Sequence, residues 1–339
     1  MNVNSVNINI VVDSSIITDK DFFNAVCSLR EGEAIVKDDN FLAAVVDDQD
    51  AREVFTYGVN LIKKAYNGHV TRLQHVWDLF VLNGQEIEKD FKLITSGRKS
   101  QALSKTNRLL EKDKIFVEEG VNAEFSIINP AGGYVYLGKD SVLMENSVIH
   151  GSLALCQHST IKMSAKIYGP VTIGPHSKVG GEVAESVIQG YSNKGHDGYL
   201  GNSVLGYWCN LGADTNNSNL KNNYAEVKLW SYDTHRFVKT GLQFCGLIMG
   251  DHSKSSINTM FNTGTIVGVS ANIFGSGFPR NFVPSFSWGG SAGYETYPFN
   301  KAVETAQLVM KRRNMQLTKP ELDVLKHIFE ATAGFRQNF

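Results

Sequence analysis

Between Tyr191 and Gly201 the chain reads Tyr-Ser-Asn-Lys-Gly-His-Asp-Gly-Tyr-Leu-Gly, which gathers side chains suited to moving a proton. His196 lies between Gly195 and Gly198, residues that let a ligand approach the backbone or a turn adopt positive φ. An imidazole titrates near neutrality, so His196 is the candidate general base, although a lone His also serves purely structural ends. Asn210, Asp214, Asn216, Asn217 and Asn219 add amide and carboxylate groups shortly afterwards. For these Asn residues two readings stand side by side: ligand contacts, or side chains that bond to the backbone of tight corners. Cys209 could pair with His196 as a nucleophile, but a thiol inside a strand reads better as a small buried hydrophobe. His150, His158, His176 and His252, with Asp251, lack paired ligand spacing, so no metal is expected. Neither a GxxxxGK[ST] loop nor a GxGxxG between strand and helix is present.

The elements that must position these groups announce themselves by period. Leu137, Leu143, Ile149, Leu155, Ile161, Ile167, Ile173 and Val179 recur every sixth residue without a failure. Six fits neither a helix nor a set of hairpins, and 31 Gly against only 7 Pro places Gly inside ordered structure. Short strands, one per hexad, would point each aliphatic residue inward, and three hexads would close one triangular coil of a solenoid. A β-sandwich is the weaker alternative, because its strands recur at longer intervals. After Glu182 the register slips, which predicts a protruding loop carrying His196, and resumes at Tyr199, Leu205 and Leu211. Met249, Phe261, Val267 and Ile273 continue it, apart from Ser255, to about residue 280. The flat outer faces favour association with copies of the same chain, and a homotrimer is expected.

The ends read differently. Apolar segments at Ile8 to Val12, Ala34 to Val36 and Phe41 to Val46, with a helix from Asp19 to Arg30, predict a small α/β piece. Arg72 to Thr95 has the spacing of a connecting helix. Thr95-Ser-Gly-Arg-Lys-Ser100 is a polar loop that could hold a phosphate but reads better as a solvated linker. Helices at Lys301 to Asn314 and Glu321 to Ala333, the second opened by a Thr318/Glu321 capping box, would cover the end of the solenoid. The expected boundaries are 1–95 for the α/β piece, 96–119 for a linker, 120–290 for the solenoid and 291–339 for a helical cap.

Composition excludes several classes. Lys and Arg (33) nearly balance Asp and Glu (34), so nothing in the net charge calls for nucleic acid or anionic lipid. Apolar runs fall short of the ~20 residues a membrane-spanning helix needs. Four scattered cysteines and no basic-then-apolar start predict a cytoplasmic protein.

Hexads interrupted by Asn193-Lys-Gly-His-Asp-Gly-Tyr-Leu-Gly201 and followed by Asn210-Leu-Gly-Ala213 resemble the left-handed β-helix acyltransferases. Over about residues 120–290 the closest likeness is to the bifunctional glucosamine-1-phosphate N-acetyltransferase and N-acetylglucosamine-1-phosphate uridylyltransferase family, in its divergent Bacteroidetes form. The resemblance implies a mainly β fold: a left-handed parallel β-helix, or hexapeptide-repeat solenoid, with a small N-terminal α/β piece and C-terminal helices. It implies acetyl transfer from acetyl-CoA to an amino-sugar 1-phosphate. His196 and Asn219 would be catalytic, Tyr199 and Asn210 would contact the sugar, and Gly212, Ala213, Gly268 and Gly275 would line the cofactor. Lys166 stands in for an Arg of the family's phosphate site, and Ala184 occupies a position where a Lys is expected. Lys194, Lys221 and Lys228 are the replacements. Asp214 and Leu220 depart from the family's Gly and Tyr. The N-terminal piece would be a truncated or degenerate nucleotidyltransferase domain. Its Gly-rich loop is missing, so Mg enters only if nucleotidyl transfer is retained. The alternatives are a nucleotidyltransferase that uses the solenoid as an oligomerisation scaffold, and a non-catalytic binding subunit.

Overall fold

The computed structural model describes residues 8–53 and 60–337, and the chain divides into two compact units, Met1–Val76 and Trp77–Phe339. In the first unit, strands Asn9–Val12, Asn40–Val46, Glu33–Lys37 and Ile62–Ala65 form one sheet in that order. Glu33–Lys37 and Asn40–Val46 make a hairpin whose turn residues Asp38 and Asp39 have φ of 49° and 61°. Short polar side chains tolerate that left-handed pair, which matches the twist of the strands. The helix Lys20–Cys27 starts where the Asp19 carboxylate accepts from the Phe22 N–H, and it buries Phe22 and Val26 against Ile35 and Leu42. The helical spacing after Arg72 resolves into two helices, Asp78–Val81 and Asn83–Thr95, both in the second unit.

The second unit is the solenoid. Among the described residues its short parallel strands stack into three faces, built on Ile127–Asn129, Val135–Leu137 and Val142–Leu143 and their successors. These are called the first, second and third faces below. Each hexad residue from Leu137 to Val179 is essentially sealed from solvent, as are Leu205, Leu211, Met249, Phe261, Val267 and Ile273. Burying one such side chain contributes ~1.5–3 kcal/mol, so the aliphatic column is the main source of stability. At several inward positions a small buried residue sits two places earlier: Ser147 before Ile149, Ser159 before Ile161, Ser177 before Val179 and Cys209 before Leu211, whereas the second face carries a second aliphatic residue there, as with Leu153 before Leu155. The fold class is the mainly β parallel β-helix expected from the hexads.

Each coil turns its corners through single residues of positive φ. At the corner between the second and third faces five consecutive coils place an aromatic ring there, His158, His176, Tyr191, Trp208 and His252, with φ from 56° to 61°. A left-handed residue costs roughly 1–2 kcal/mol. Here successive rings stack, at centroid separations of 4.8, 4.7, 4.2 and 6.3 Å, which offsets part of that cost. Three of the four histidines considered above as ligands are thus members of a ring ladder.

The expected protruding loop after Glu182 is corrected by the structure. The coil continues through Glu182–Ala184, Val187–Ile188, Asn193–Lys194 and Tyr199–Gly201, each paired in register with the coil below. The slip arises because the first-face repeat shortens, from 18 residues between 148 and 166 to 16 between 166 and 182. Leu200, not Tyr199, fills the inward position. The true excursion is 220–246, whose antiparallel strands Lys228–Ser231 and Arg236–Lys239 bury Val227 and Leu229 beside Trp77, Phe80, Val204 and Ile266.

At the far end Phe286, Ala302 and Leu325 form a separate core between the last coil and the C-terminal helices. The Thr318/Glu321 capping box opens the helix Lys319–Ala331. The preceding helix, Phe299–Lys311, runs back along the third face: Ala302, Thr305 and Ala306 lie beside Ser270 to Asn272, and Val309 lies beside Asn193 and Asn210.

Candidate functional site

The corner between the third and first faces carries His196. Gly198 there has φ of 110°, and a Cβ on it would lie 2.2 Å from the Thr215 carbonyl oxygen, so both conformation and space require glycine. The His196 imidazole is exposed, and no hydrogen bond or ion pair engages it among the described residues. The backbone N–H groups of residues 195–198 likewise donate to no carbonyl there. An exposed ring and free amide protons therefore share one turn.

Below this turn lies the group that sequence reasoning misread. Lys194 holds an inward position, in register with Val179, and is 2% exposed. Its Nζ donates to the carbonyl oxygens of Gly180 (3.0 Å), His196 (2.9 Å) and Gly198 (2.6 Å). Burial pulls its pKa down to about 8, against the opposing pull of Asp197, Asp214 and Glu182. The ammonium is consumed by three acceptors in the interior, so Lys194 does not replace a phosphate-binding cation. Its place six residues after Ile188 and six before Leu200 was the available signal.

On the adjoining first face a polar network brings several expected residues together. Glu182 accepts from Tyr168 Oη (2.7 Å) and from Lys166 Nζ (3.0 Å), and these bonds, Tyr168's first, hold its carboxyl below the ordinary range. Tyr199, next in register above Glu182, accepts at Oη from Asn219 Nδ2 (2.9 Å). The same amide donates to Asn202 Oδ1 (2.7 Å), and Asn202 in turn donates to Glu185. Burial raises the Tyr199 pKa, so its hydroxyl stays protonated. Both protons of the Asn219 amide are used, which leaves none for an oxyanion and makes Asn219 a holder of Tyr199. The Lys166 cation is paired to Glu182. Tyr168, Glu182, Glu185 and Asn202 were missed because they fall on different coils; the 16- and 17-residue spacings that align them are visible only once the shortened repeat is known.

The remaining expected residues scatter. Asn210 lies on the third face, between Asn193 and Lys254 in register, and not beside Tyr199. Lys221 donates to the Glu226 carbonyl at the base of the excursion, and Lys228 is exposed on its hairpin. Gly212, Ala213 and Gly275 lie on the His196 corner, on later coils. A Cβ on Gly212 would meet the Ser256 backbone at 2.3 Å, and its N–H already donates to Ser255, so this glycine serves coil packing. Gly268 lies at the other corner, against the Ser285 backbone at 2.3 Å, and is likewise a packing glycine. Cys209 is buried, its thiol faces the Gly250 carbonyl, and burial pushes its pKa up to about 12, which makes it inert as a nucleophile. Arg98 of the 95–100 loop is paired to Glu118 at 2.6 Å and is not free for a phosphate. Of Asn216 and Asn217, each accepts from a first-face N–H, so the structural reading holds for both.

The sugar nucleotidyl transferase family matches residues 1–99. No curated protein matches the chain. Solved structures that resemble it include the UDP-N-acetylglucosamine acyltransferase from Campylobacter jejuni, at 14% identity over 70% of this chain and 84% of that one, with a TM-score of 0.24. An Arabidopsis UDP-N-acetylglucosamine acyltransferase follows at 11% identity over 69% and 94%, with a TM-score of 0.22. The acetyltransferase domain of PglB from Neisseria gonorrhoeae follows at 11% over 73% and 91%, with a TM-score of 0.15. Likenesses at this level carry nothing about the site.

Proposed function

We propose that the chain is an acetyl-CoA-dependent N-acetyltransferase acting on an amino-sugar 1-phosphate, glucosamine 1-phosphate first among them. The observation that carries this reading is the unengaged His196 imidazole on a rigid corner next to the Tyr199–Asn219 and Tyr168–Glu182 network. An amine attacks a thioester only through its lone pair. His196 removes the amine proton as the nitrogen bonds to the carbonyl carbon, and the C–S bond then breaks to release coenzyme A thiolate. General-base help of this kind contributes ~10²–10⁴-fold. The free N–H groups of residues 195–198, with that of Ala213, supply donors for the oxyanion. Tyr199, held by Asn219, orients the sugar.

The cleft is completed by a second copy of the chain in a homotrimer. Supporting this, other coils expose large apolar groups at the same corner, Phe125 (64%), Met163 (58%) and Ile257 (66%). The test is incubation with acetyl-CoA and a panel of amino-sugar phosphates, following thiol release. Release that depends on one acceptor supports the reading, and no release with any acceptor overturns it. A second reading, sugar nucleotidyl transfer with the solenoid as scaffold, is favoured by the family match over residues 1–99. It predicts release of pyrophosphate from a nucleoside triphosphate and sugar phosphate, with Mg present.

A further inference from the structure

A cavity of about 390 Å³ lies between the third face and the C-terminal end of the helix Phe299–Lys311, away from the His196 corner. Lys178, Lys254, Arg312 and Arg313 line it, and no carboxylate does. The outward side chains on its floor follow the register of the face: Lys178 pairs with Asn193, Asn193 with Asn210, and Asn210 with Lys254. Coils stack ~4.8 Å apart, so the two lysines root ~14 Å from each other with two amides between them. Arg312 and Arg313 face this ladder from the helix end.

None of the four cations is in an ion pair among the described residues; the Lys254 ammonium donates to the His252 carbonyl oxygen, and the side chains of the other three make no hydrogen bond there. Elsewhere exposed cations find partners readily, as Lys166, Arg98 and Lys319 do. Four like charges around one cavity repel each other, and burial of Lys254 adds to the cost. The wall is completed by Tyr191 and Trp208. Their faces are covered by each other at 4.2 Å, so they offer ring edges, which carry the positive end of the aromatic quadrupole. Charge, ring edges and amide donors all select an anion, and the span of the cations exceeds that of one phosphate.

We propose that this cavity binds a small molecule bearing a diphosphate, held by Lys178, Lys254, Arg312 and Arg313, with Asn193 and Asn210 contacting its polar body. The site is independent of the acyl-transfer reading, because its residues take no part in the His196 corner.

Calorimetric titration of the full chain with inorganic pyrophosphate, uridine diphosphate and coenzyme A tests it. At least one should bind, and the Arg312→Ala/Arg313→Ala double variant should weaken that binding at least tenfold. Both arginines sit at the end of the helix, so the unfolding midpoint of the double variant should match the parent and separate lost binding from lost fold. His196→Ala should leave binding unchanged, so failed acetyl transfer does not decide this question. Pyrophosphate should compete with whichever organic diphosphate binds, and the tighter of the two identifies the source. No binding of any of the three at about 1 mM, a weak affinity for a dedicated site, or binding insensitive to the double variant, overturns the proposal.

Discussion

Replacing Lys194 with Met removes the ammonium from the solenoid interior while keeping a side chain of similar length. The carbonyl oxygens of Gly180 and His196 accept from no other group among the described residues, so both lose their partner. Each orphaned acceptor costs ~1–3 kcal/mol. Against this, the variant no longer buries a charge. The fall of the Lys194 pKa from 10.5 to about 8 measures that burden at about 3 kcal/mol. The folded chain gives up this proton at lower pH than the unfolded chain. Between pH 8 and 10.5 the unfolded state therefore holds the extra proton, and wild-type stability rises with pH across that window. Below pH 8 the two effects of the substitution oppose each other, and near pH 10.5 only the loss remains. Urea unfolding of both proteins by tryptophan fluorescence, in parallel at each pH, cancels the titration of every other group. The penalty of Lys194→Met should be about 3 kcal/mol larger at the alkaline end than at pH 7. Parallel pH curves, or a penalty that shrinks with pH, would refute a buried, desolvated amine.

Other consequences follow from the same geometry. Gly212→Ala drives a Cβ into the Ser256 backbone and should destabilise the solenoid by ~1–3 kcal/mol, read as a lower unfolding midpoint. Cys27 is exposed whereas Cys209 and Cys245 are buried; a thiol reagent at pH 8 should label Cys27 promptly and the other two only on unfolding. Tyr199→Phe removes the acceptor for Asn219 Nδ2 and should weaken use of the sugar while leaving the unfolding midpoint within about 1 kcal/mol-equivalent of the parent, measured as a rise in KM for the acceptor.

The hexads made the parallel solenoid legible, because one inward aliphatic residue in six is a constraint on every coil. Three of the four strands of the N-terminal sheet and the capping box at Thr318 were legible for similar local reasons, whereas Ile62–Ala65, exposed along its length, carried no apolar pattern. The shortened coils were not. Where the repeat falls to between 15 and 17 residues, the inward slots pass to Val183, Ile188, Lys194 and Leu200, and a lysine there reads as surface from its type alone. The excursion 220–246 was hidden because its own apolar residues, Val227 and Leu229, pack on the outside of the coil instead of joining the column. Within the site, a turn at His196 was legible from its flanking glycines, but it was expected on a protruding loop and the structure makes it a corner of a continuous coil. The partners of Tyr199 were not, since Asn219, Asn202 and Glu185 meet only when three coils stack.

The most direct test of the acyl-transfer account is thiol release from acetyl-CoA with glucosamine 1-phosphate, comparing the wild-type chain with His196→Ala at matched oligomeric state. The account predicts a loss of at least ~100-fold with an unchanged unfolding midpoint. Turnover by His196→Ala close to that of the wild type would contradict it.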